Sequence, residues 1–191
     1  MSKCNSRVIS LIDFDEDTVK HIVISVLTQY RILKFLTLNC REIRLLKKKV
    51  RGLNVIETFD TLKFCQINTP VIDVIQILSE TGVSSVPILE RVNEKDYKLI
   101  NCYEAVDVIG LVKNGLYNDL TLTVGEALLK RNENDFEGVY TCQEDETLFN
   151  ILDCIRTNRV HRFYVIDKNG YIKGLITLSD ILNYILQAGS A

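Results

Sequence analysis

The chain has few of the residues that build metal sites and phosphate-binding loops. It has two histidines and six cysteines in 191 residues, and no two cysteines are spaced as C-x-x-C. This usage argues against a zinc site, and most of the thiols are expected to be small buried side chains rather than disulfide partners. No glycine-rich phosphate loop occurs, and His161 has no carboxylate or cysteine beside it that would form a nucleophile–base pair. An enzyme is therefore not expected.

The chain also lacks a strong charge imbalance and long apolar runs. Its net charge is −2, which gives no electrostatic footprint for nucleic acid. No uncharged apolar run approaches the about 18 residues that a membrane span needs. Asp13, Asp15 and Glu16 interrupt any apolar signal core after the first residues. The expectation is a chain of the cytoplasm and nucleus, with neither a membrane nor a nucleic acid as a partner.

One stretch near the C-terminus concentrates polar groups at the start of a helix. A short apolar strand ends at Ile176, and apolar residues at helical spacing follow from Ile181. Between them, Thr177, Ser179 and Asp180 bring two hydroxyls and a carboxylate to the free N–H groups of the helix. Such a point favours an anion, and the carboxylate can also bind a sugar diol. Helix capping is the alternative role, and the two roles are compatible.

The order of predicted elements repeats along the chain. Residues 137–191 predict strand, helix, strand, strand and helix, and Asn169-Gly170 is expected to supply the positive φ values of the hairpin turn. Residues 58–112 predict the same order. Residues 1–39 hold only the last two strands and the last helix of a third copy.

The copies differ at their key positions. Asp107 of the middle copy falls where Asp180 falls, whereas Arg31 takes this position in the half copy. The first helix of the middle copy is expected to start with Thr69 as its cap and Pro70 in its first turn.

Two connectors join the copies. Residues 40–57 are rich in lysine and arginine, which is typical of a solvated helix or loop; contact with an acidic partner is the alternative. Residues 113–136 predict a short helix that begins with a capping box of Thr123 and Glu126 and is followed by a polar loop at 132–135.

Tandem units of this order that end in G-h-x-T-x-x-D before a helix resemble the CBS domain. The signature is complete at Gly174, Thr177 and Asp180, whereas Asn101 and Glu104 replace its glycine and threonine in the middle copy. The resemblance implies an α/β (α+β) fold, with tandem CBS domains packed as a pseudo-two-fold pair and an orphan half motif before them. CBS pairs commonly pack face to face, and this chain lacks a partner pair. An apolar surface near the half copy and self-association into a homodimer are therefore expected.

Several segments resemble more closely the gamma regulatory subunits of AMP-activated protein kinases, the fungal form in particular. These segments are 26–36, 69–76, 135–142, 160–163 and 178–182. Such subunits have four CBS copies in two pairs, so this chain corresponds to the second pair and half of the second copy, as a truncated relative or as a fragment.

The resemblance implies a function and partners. The chain would be a non-catalytic regulatory subunit that binds AMP, ADP or ATP and needs no cofactor. It would join a kinase alpha subunit and a scaffold beta subunit in the response to energy or glucose limitation. The alternative is a subunit that serves assembly alone, with weak or no nucleotide binding.

The resemblance also assigns roles to single residues. Asp180 and Asp107 would bind ribose, since a carboxylate can accept hydrogen bonds from both hydroxyls. His161 and Arg162 resemble phosphate ligands, although a histidine on a strand is more often a packed core residue. Arg31 cannot accept from a diol but can bind phosphate. Thr177 and Ser179 would donate to phosphate or ribose, and Ser84 would donate to phosphate. Thr58 would lie near the adenosine, although its spacing alone predicts an ordinary loop residue. Val139, in an apolar strand, would contact the adenine.

Overall fold

A computed structural model describes residues 8–40, 48–52, 57–113, 115, 121–131 and 138–188. The strands in this part of the chain are β1 (Val8–Asp15), β2 (Lys20–Thr28), β3 (Glu57–Thr58), β4 (Ser85–Arg91), β5 (Tyr97–Glu104), β6 (Thr141–Gln143), β7 (Arg162–Ile166) and β8 (Ile172–Thr177). The helices are α1 (Gln29–Asn39), α2 (Val71–Thr81), α3 (Ala105–Lys113), α4 (Val124–Leu129), α5 (Leu148–Thr157) and α6 (Leu178–Ala188). None of these helices is long and apolar enough to cross a membrane.

The strands form three sheets that follow the predicted repeat. β6, α5, β7, β8 and α6 give the last copy its full order, and β6 pairs with β7 in parallel. In the middle copy α2 is followed by the antiparallel β4–β5 hairpin and by α3, and a parallel bridge between Cys65 and Ile88 marks the front strand. β1 and β2 form a separate antiparallel pair before α1. The α/β fold with repeated strand–helix–strand–strand–helix units is thus confirmed.

Helix α5 illustrates how the apolar spacing forms these elements. Its residues Leu148, Ile151, Leu152 and Ile155 are buried, as the spacing of three and four residues predicts. The hydroxyl of Thr147 accepts a hydrogen bond from the backbone N–H of Asn150 and caps the first turn.

The chain divides into two compact units that do not coincide with the repeat copies. The first comprises Met1–Ile56, Glu144–Phe163 and Ile176–Ala191, and the second comprises Glu57–Gln143 and Tyr164–Leu175. In the first unit α1 packs against α5 and α6. The second unit holds two hydrophobic clusters, one of them around Val74, Val86 and Ile88 and the other around Leu89 and Tyr164. The sequence boundaries of the copies stay predictions.

The start of α2 differs from the prediction. Pro70, and not Thr69, is the cap residue, and no side chain caps this helix. The hydroxyl of Thr69 accepts instead from the N–H of Gln66 at 2.9 Å. The N–H of Val71 donates to the carbonyl of Leu122 at 2.8 Å, so a neighbouring segment satisfies one of the donors at the start of the helix.

The short helix predicted in the second connector, α4, begins as expected. Thr123 caps α4, and both hydrogen bonds of the capping box with Glu126 are present. The predicted polar loop at 132–135 lies outside the described residues. Of the basic connector 40–57, the structure describes residues 40, 48–52 and 57, with a short 3-10 helix at Val50–Gly52.

The hairpin turn after β7 has one positive φ instead of two. Gly170 has a φ of 82°, whereas Asn169 does not enter the left-handed region. The Oδ1 atom of Asp167 accepts from the N–H groups of Asn169 and Tyr171, both at 2.9 Å, and the Asp167 side chain thereby holds the turn.

The β1–β2 pair exposes apolar side chains on both of its faces, and the apolar surface predicted at the half copy is confirmed. In the complete copies, β7 has a parallel partner in β6 and β4 has one at Cys65, whereas β1 has no such partner among the described residues. The exposed apolar residues of the pair are Val8, Ile9, Leu11, Ile12, Phe14, Val19, Ile22, Val23, Ile24 and Val26.

Self-association through this surface is a testable prediction. Ile12 and Val23 face each other across the pair and are 59% and 61% exposed. Replacing both with lysine is expected to weaken self-association by about tenfold or more, since each charge would have to be desolvated in a contact. Sedimentation equilibrium over a range of concentrations measures this. Leu129→Lys, at an exposed site in α4, is the control, and a wild-type chain that stays monomeric at high concentration would contradict the prediction.

Three of the five cysteines in the described part of the chain are buried, in line with the prediction that most thiols are buried, and Cys4 lies outside this part. Cys65, Cys102 and Cys142 are buried, Cys40 and Cys154 are partly exposed, and all five are free thiols. Burial is the main cause that raises the pKa of Cys65 to about 12, and the neighbouring Cys102 adds to it. The Cys65 thiol is therefore held in its protonated, unreactive form at neutral pH.

This burial predicts an order of thiol alkylation. With iodoacetamide at pH 8, Cys40 and Cys154 should react first among the five described cysteines. Cys65 should stay unmodified in the folded chain, because its pKa lies far above that pH and almost no thiolate forms. All thiols should react once the chain is unfolded in urea. Peptide mass spectrometry gives the order, and early modification of Cys65 in the native chain would contradict it.

Candidate functional site

The junction of β8 and α6 brings together the polar groups that the sequence predicts there. Thr177 precedes the helix and Asp180 is its third residue. The Oδ2 atom of Asp180 accepts from the N–H and the hydroxyl of Thr177, at 2.8 and 2.7 Å. The N–H of Asp180 donates back to that hydroxyl at 3.4 Å. This is a reciprocal cap in which aspartate takes the place of the usual glutamate.

The cap uses one oxygen of the carboxylate. Asp180 is half-buried, and no described residue donates a hydrogen bond to its Oδ1 atom. The remaining lone pairs of the carboxylate can accept hydrogen bonds from hydroxyl groups of a ligand. Capping therefore orients the carboxylate and leaves Oδ1 available, so this geometry is compatible with both of the roles considered for Asp180.

Ser179 links this junction to the start of another helix instead of capping α6. Its hydroxyl donates to the side-chain oxygen of Gln29, the first residue of α1, at 3.0 Å. Thr28 caps α1 by accepting from the N–H of Arg31 at 3.3 Å. The positive ends of two helices therefore adjoin each other, which favours an anion nearby. Sequence reasoning missed Gln29, because nothing local marks a contact with a residue so far along the chain.

His161 borders the same turn of α1. Its ring centroid lies 6.2 Å from that of Tyr30, which directly follows Gln29. His161 is exposed, so the alternative of a packed core histidine is wrong. Arg162 is half-buried and begins β7. The first turn of α1 thus contacts both Ser179 and the segment that carries the two predicted phosphate ligands.

Arg31 and Lys34 supply further positive charge on α1. The Nη1 atom of Arg31 donates to the carbonyl of Val26 at 2.8 Å, which folds its exposed side chain back toward β2. The ammonium of Lys34, a residue that sequence reasoning did not single out, lies 5.7 Å from the centroid of the Tyr30 ring.

Asp107 occupies the equivalent helix position in the middle copy but has different partners. Its Oδ2 atom accepts from the N–H of Glu104 at 2.7 Å. Arg131 donates from Nε to Oδ1 at 2.7 Å and from Nη2 to Oδ2 at 2.5 Å. The side chains of Arg131 and Asp107 are each only 9% exposed. Both oxygens of this carboxylate are engaged within the chain.

Three more predicted ligands, Ser84, Thr58 and Val139, lie in the second unit. The carbonyl of Ser84 accepts from the N–H of Ala105 at 3.0 Å, so Ser84 adjoins the start of α3. Thr58 lies in β3 opposite Gly174, where spacing alone predicted a loop. Val139 precedes β6 instead of belonging to it, and packs against the cluster around Leu89 and Tyr164. In the described part of the chain, no group of three or more His, Cys, Asp or Glu is arranged to hold a metal ion.

Comparison with known proteins places this geometry in context. Residues 136–187 match the CBS domain family. The chain is 58% identical over 191 residues to the 5'-AMP-activated protein kinase subunit gamma of Kluyveromyces lactis, which covers 100% of the chain and 56% of that protein. It is 58% identical over 186 residues to the Saccharomyces cerevisiae subunit of the same name, with 97% and 56% covered. The chain thus spans about half the length of these curated relatives.

A solved structure supports the fold. The crystal structure of CBSX2 in complex with AMP superimposes with a TM-score of 0.58 at 18% identity, and covers 74% of this chain and 98% of CBSX2. At this identity the likeness concerns the fold alone.

The cap at α6 leads to a stability prediction. Thr177→Val removes the hydroxyl that bonds with Asp180 and is expected to lower the free energy of unfolding by about 1 kcal/mol. Thr177→Ser keeps the hydroxyl and should stay close to wild type. Urea denaturation followed by circular dichroism measures both variants, and equal stability of the valine and serine variants would contradict the cap.

Proposed function

The chain belongs to the family of 5'-AMP-activated protein kinase gamma subunits, and we propose that it is a non-catalytic, adenine-nucleotide-binding regulatory subunit of such a kinase. The observation that carries the proposal is the carboxylate of Asp180, which is oriented by the cap and has one oxygen without a donor among the described residues. AMP, ADP and ATP are the proposed ligands, and no further cofactor is required.

The ribose is assigned to Asp180. A diol needs acceptors for two hydroxyl hydrogens, and a carboxylate held at a helix start offers them in a fixed direction. Thr177 and Ser179 flank this carboxylate and already fix the start of α6 through their hydrogen bonds. The nucleotide would therefore bind without a rearrangement of the helix start.

The phosphates are assigned to the positive side of the same unit. The starts of α1 and α6 adjoin each other, and His161 contacts the first turn of α1. Arg162 follows His161 and offers a permanent, two-pronged donor for phosphate oxygens. Arg31 as a further phosphate ligand, Ser84 as a phosphate donor, and Thr58 and Val139 at an adenosine rest on the family resemblance and stay proposals.

The proposed mechanism is a shift between two states of the kinase. AMP, ADP and ATP would compete for one site and differ in the phosphate charge presented to His161 and Arg162. A nucleotide transmits a signal only by the difference in its affinity for the two states. The proposed setting is a complex with kinase alpha and scaffold beta subunits, in the cytoplasm and nucleus, in the response to energy or glucose limitation.

A role in assembly alone is the second candidate. The engagement of Asp107 by Arg131 favours it, because one of the two predicted ribose acids is already occupied. Under this alternative, the chain would hold the kinase and scaffold subunits equally well after Asp180→Asn and Arg162→Ala, and nucleotide binding to the wild type would be weak or absent.

Calorimetric titration with AMP, ADP and ATP tests the proposal. Asp180→Asn keeps an oxygen that can accept a hydrogen bond from the N–H of Thr177, but its amide nitrogen cannot accept a hydrogen bond from a ribose hydroxyl. The variant should fold and should lose nucleotide affinity by at least about tenfold, the equivalent of about 1.4 kcal/mol. Asp153→Asn is the matched control, since Asp153 pairs with Arg156 on α5 in the same unit.

The outcomes separate the two candidates. Saturable binding that Asp180→Asn weakens and Asp153→Asn leaves unchanged supports a nucleotide-sensing subunit. A folded wild-type chain that binds none of the three nucleotides contradicts it and favours the assembly role.

A further inference from the structure

The two helix-start aspartates are held by different means. In the last copy, the hydroxyl of Thr177 donates to Asp180 at 2.7 Å. Glu104 stands at the corresponding position of the middle copy and has no hydroxyl to donate. Arg131 instead holds Asp107, and its Nη2 atom also donates to the carbonyl of Cys102 at 2.7 Å. The arginine therefore takes over the orienting role that a threonine has at Asp180.

This replacement has a consequence for ligands. The threonine hydroxyl engages only Oδ2 of Asp180, whereas the guanidinium engages both oxygens of Asp107 through two parallel N–H groups. A ribose diol would need the same edge of the carboxylate that the guanidinium occupies. Because a paired guanidinium and carboxylate are charge-assisted partners, a neutral diol competes poorly for this edge.

The pair also lies in a poorly hydrated environment. Both side chains are 9% exposed. The adjacent Tyr103 is fully buried, and its hydroxyl has no hydrogen-bond partner within the described residues. Burial in the first place, and the charge of Asp107 in the second, raise the pKa of Tyr103. Water thus screens the ion pair weakly, and displacing the arginine would leave a charge poorly solvated.

We propose that Arg131 determines the specificity of the Asp107 position, where its guanidinium occupies the diol-binding edge of the carboxylate and excludes ribose. The chain then holds one nucleotide, at Asp180, although two copies carry the aspartate. This inference rests on the proposed function for the identity of the ligand. It makes Arg131 the cause of the difference in ribose binding between Asp180 and Asp107.

The number of AMP molecules bound per chain tests the proposal. Calorimetry should give one AMP for the wild type. Arg131→Gln should gain one AMP per chain relative to the wild type, and Arg131→Gln combined with Asp107→Asn should lose that gain. Arg156→Gln is the matched control, because Arg156 forms an arginine–aspartate pair at an exposed place on α5 and should leave the number at one. The gained site should reject 2′-deoxy-AMP, since a diol is what the exposed carboxylate recognises.

The outcomes distinguish a failure of this inference from a failure of the proposed function. Absence of Asp180-dependent binding in the wild type contradicts the nucleotide-sensing role, whereas absence of a gained site in folded Arg131→Gln overturns the assignment of Arg131. Where Arg131→Gln does not fold, Asp107→Asn in the wild-type chain decides. An unchanged number and an affinity within about twofold support the exclusion of ribose, and a lost AMP overturns it.

Discussion

An aspartate at the third position of a helix, bonded to the N–H of the residue before that helix, is the contact on which both candidate positions depend. Asp180 and Asp107 both make it, at 2.8 and 2.7 Å. The bond satisfies a donor at the helix start and places the carboxylate at the positive end of the helix. What differs is the second partner, a hydroxyl at Asp180 and a guanidinium at Asp107. The same local constraint therefore yields an available acid in one copy and an occupied acid in the other.

The first unit illustrates how a site can be assembled around a single helix turn. Gln29 contacts Ser179 and the adjacent Tyr30 contacts His161. These contacts join the start of α1, the entry to β7 and the capped acid. The β1–β2 pair that precedes α1 is solvated on both faces and would be marginal by itself. The packing of α1 against α5 and α6 is what holds this turn in place.

Sequence reasoning succeeded where the determining contacts are local. The cap between Thr177 and Asp180, the capping box at Thr123 and the apolar face of α5 all follow from spacings of three or four residues. It failed where the partner comes from elsewhere. The carbonyl of Leu122 serves the start of α2 in place of a Thr69 cap, and Ser179 bonds to a residue 150 positions away. Arg131 lies 24 positions from Asp107, so no local pattern marked this acid as occupied.

The two compact units draw on interleaved parts of the chain. Strands β7 and β8 each run from one unit into the other, since the divisions fall after Phe163 and after Leu175. A sequence repeat is therefore not the same as a folding module in this protein. Removing the last copy would take residues from both units at once, and expressing one copy alone would leave each unit without part of its core. The first unit joins residues up to Ile56 to residues from Glu144 onward, so the entropy of closing a long loop has to be offset by its packing.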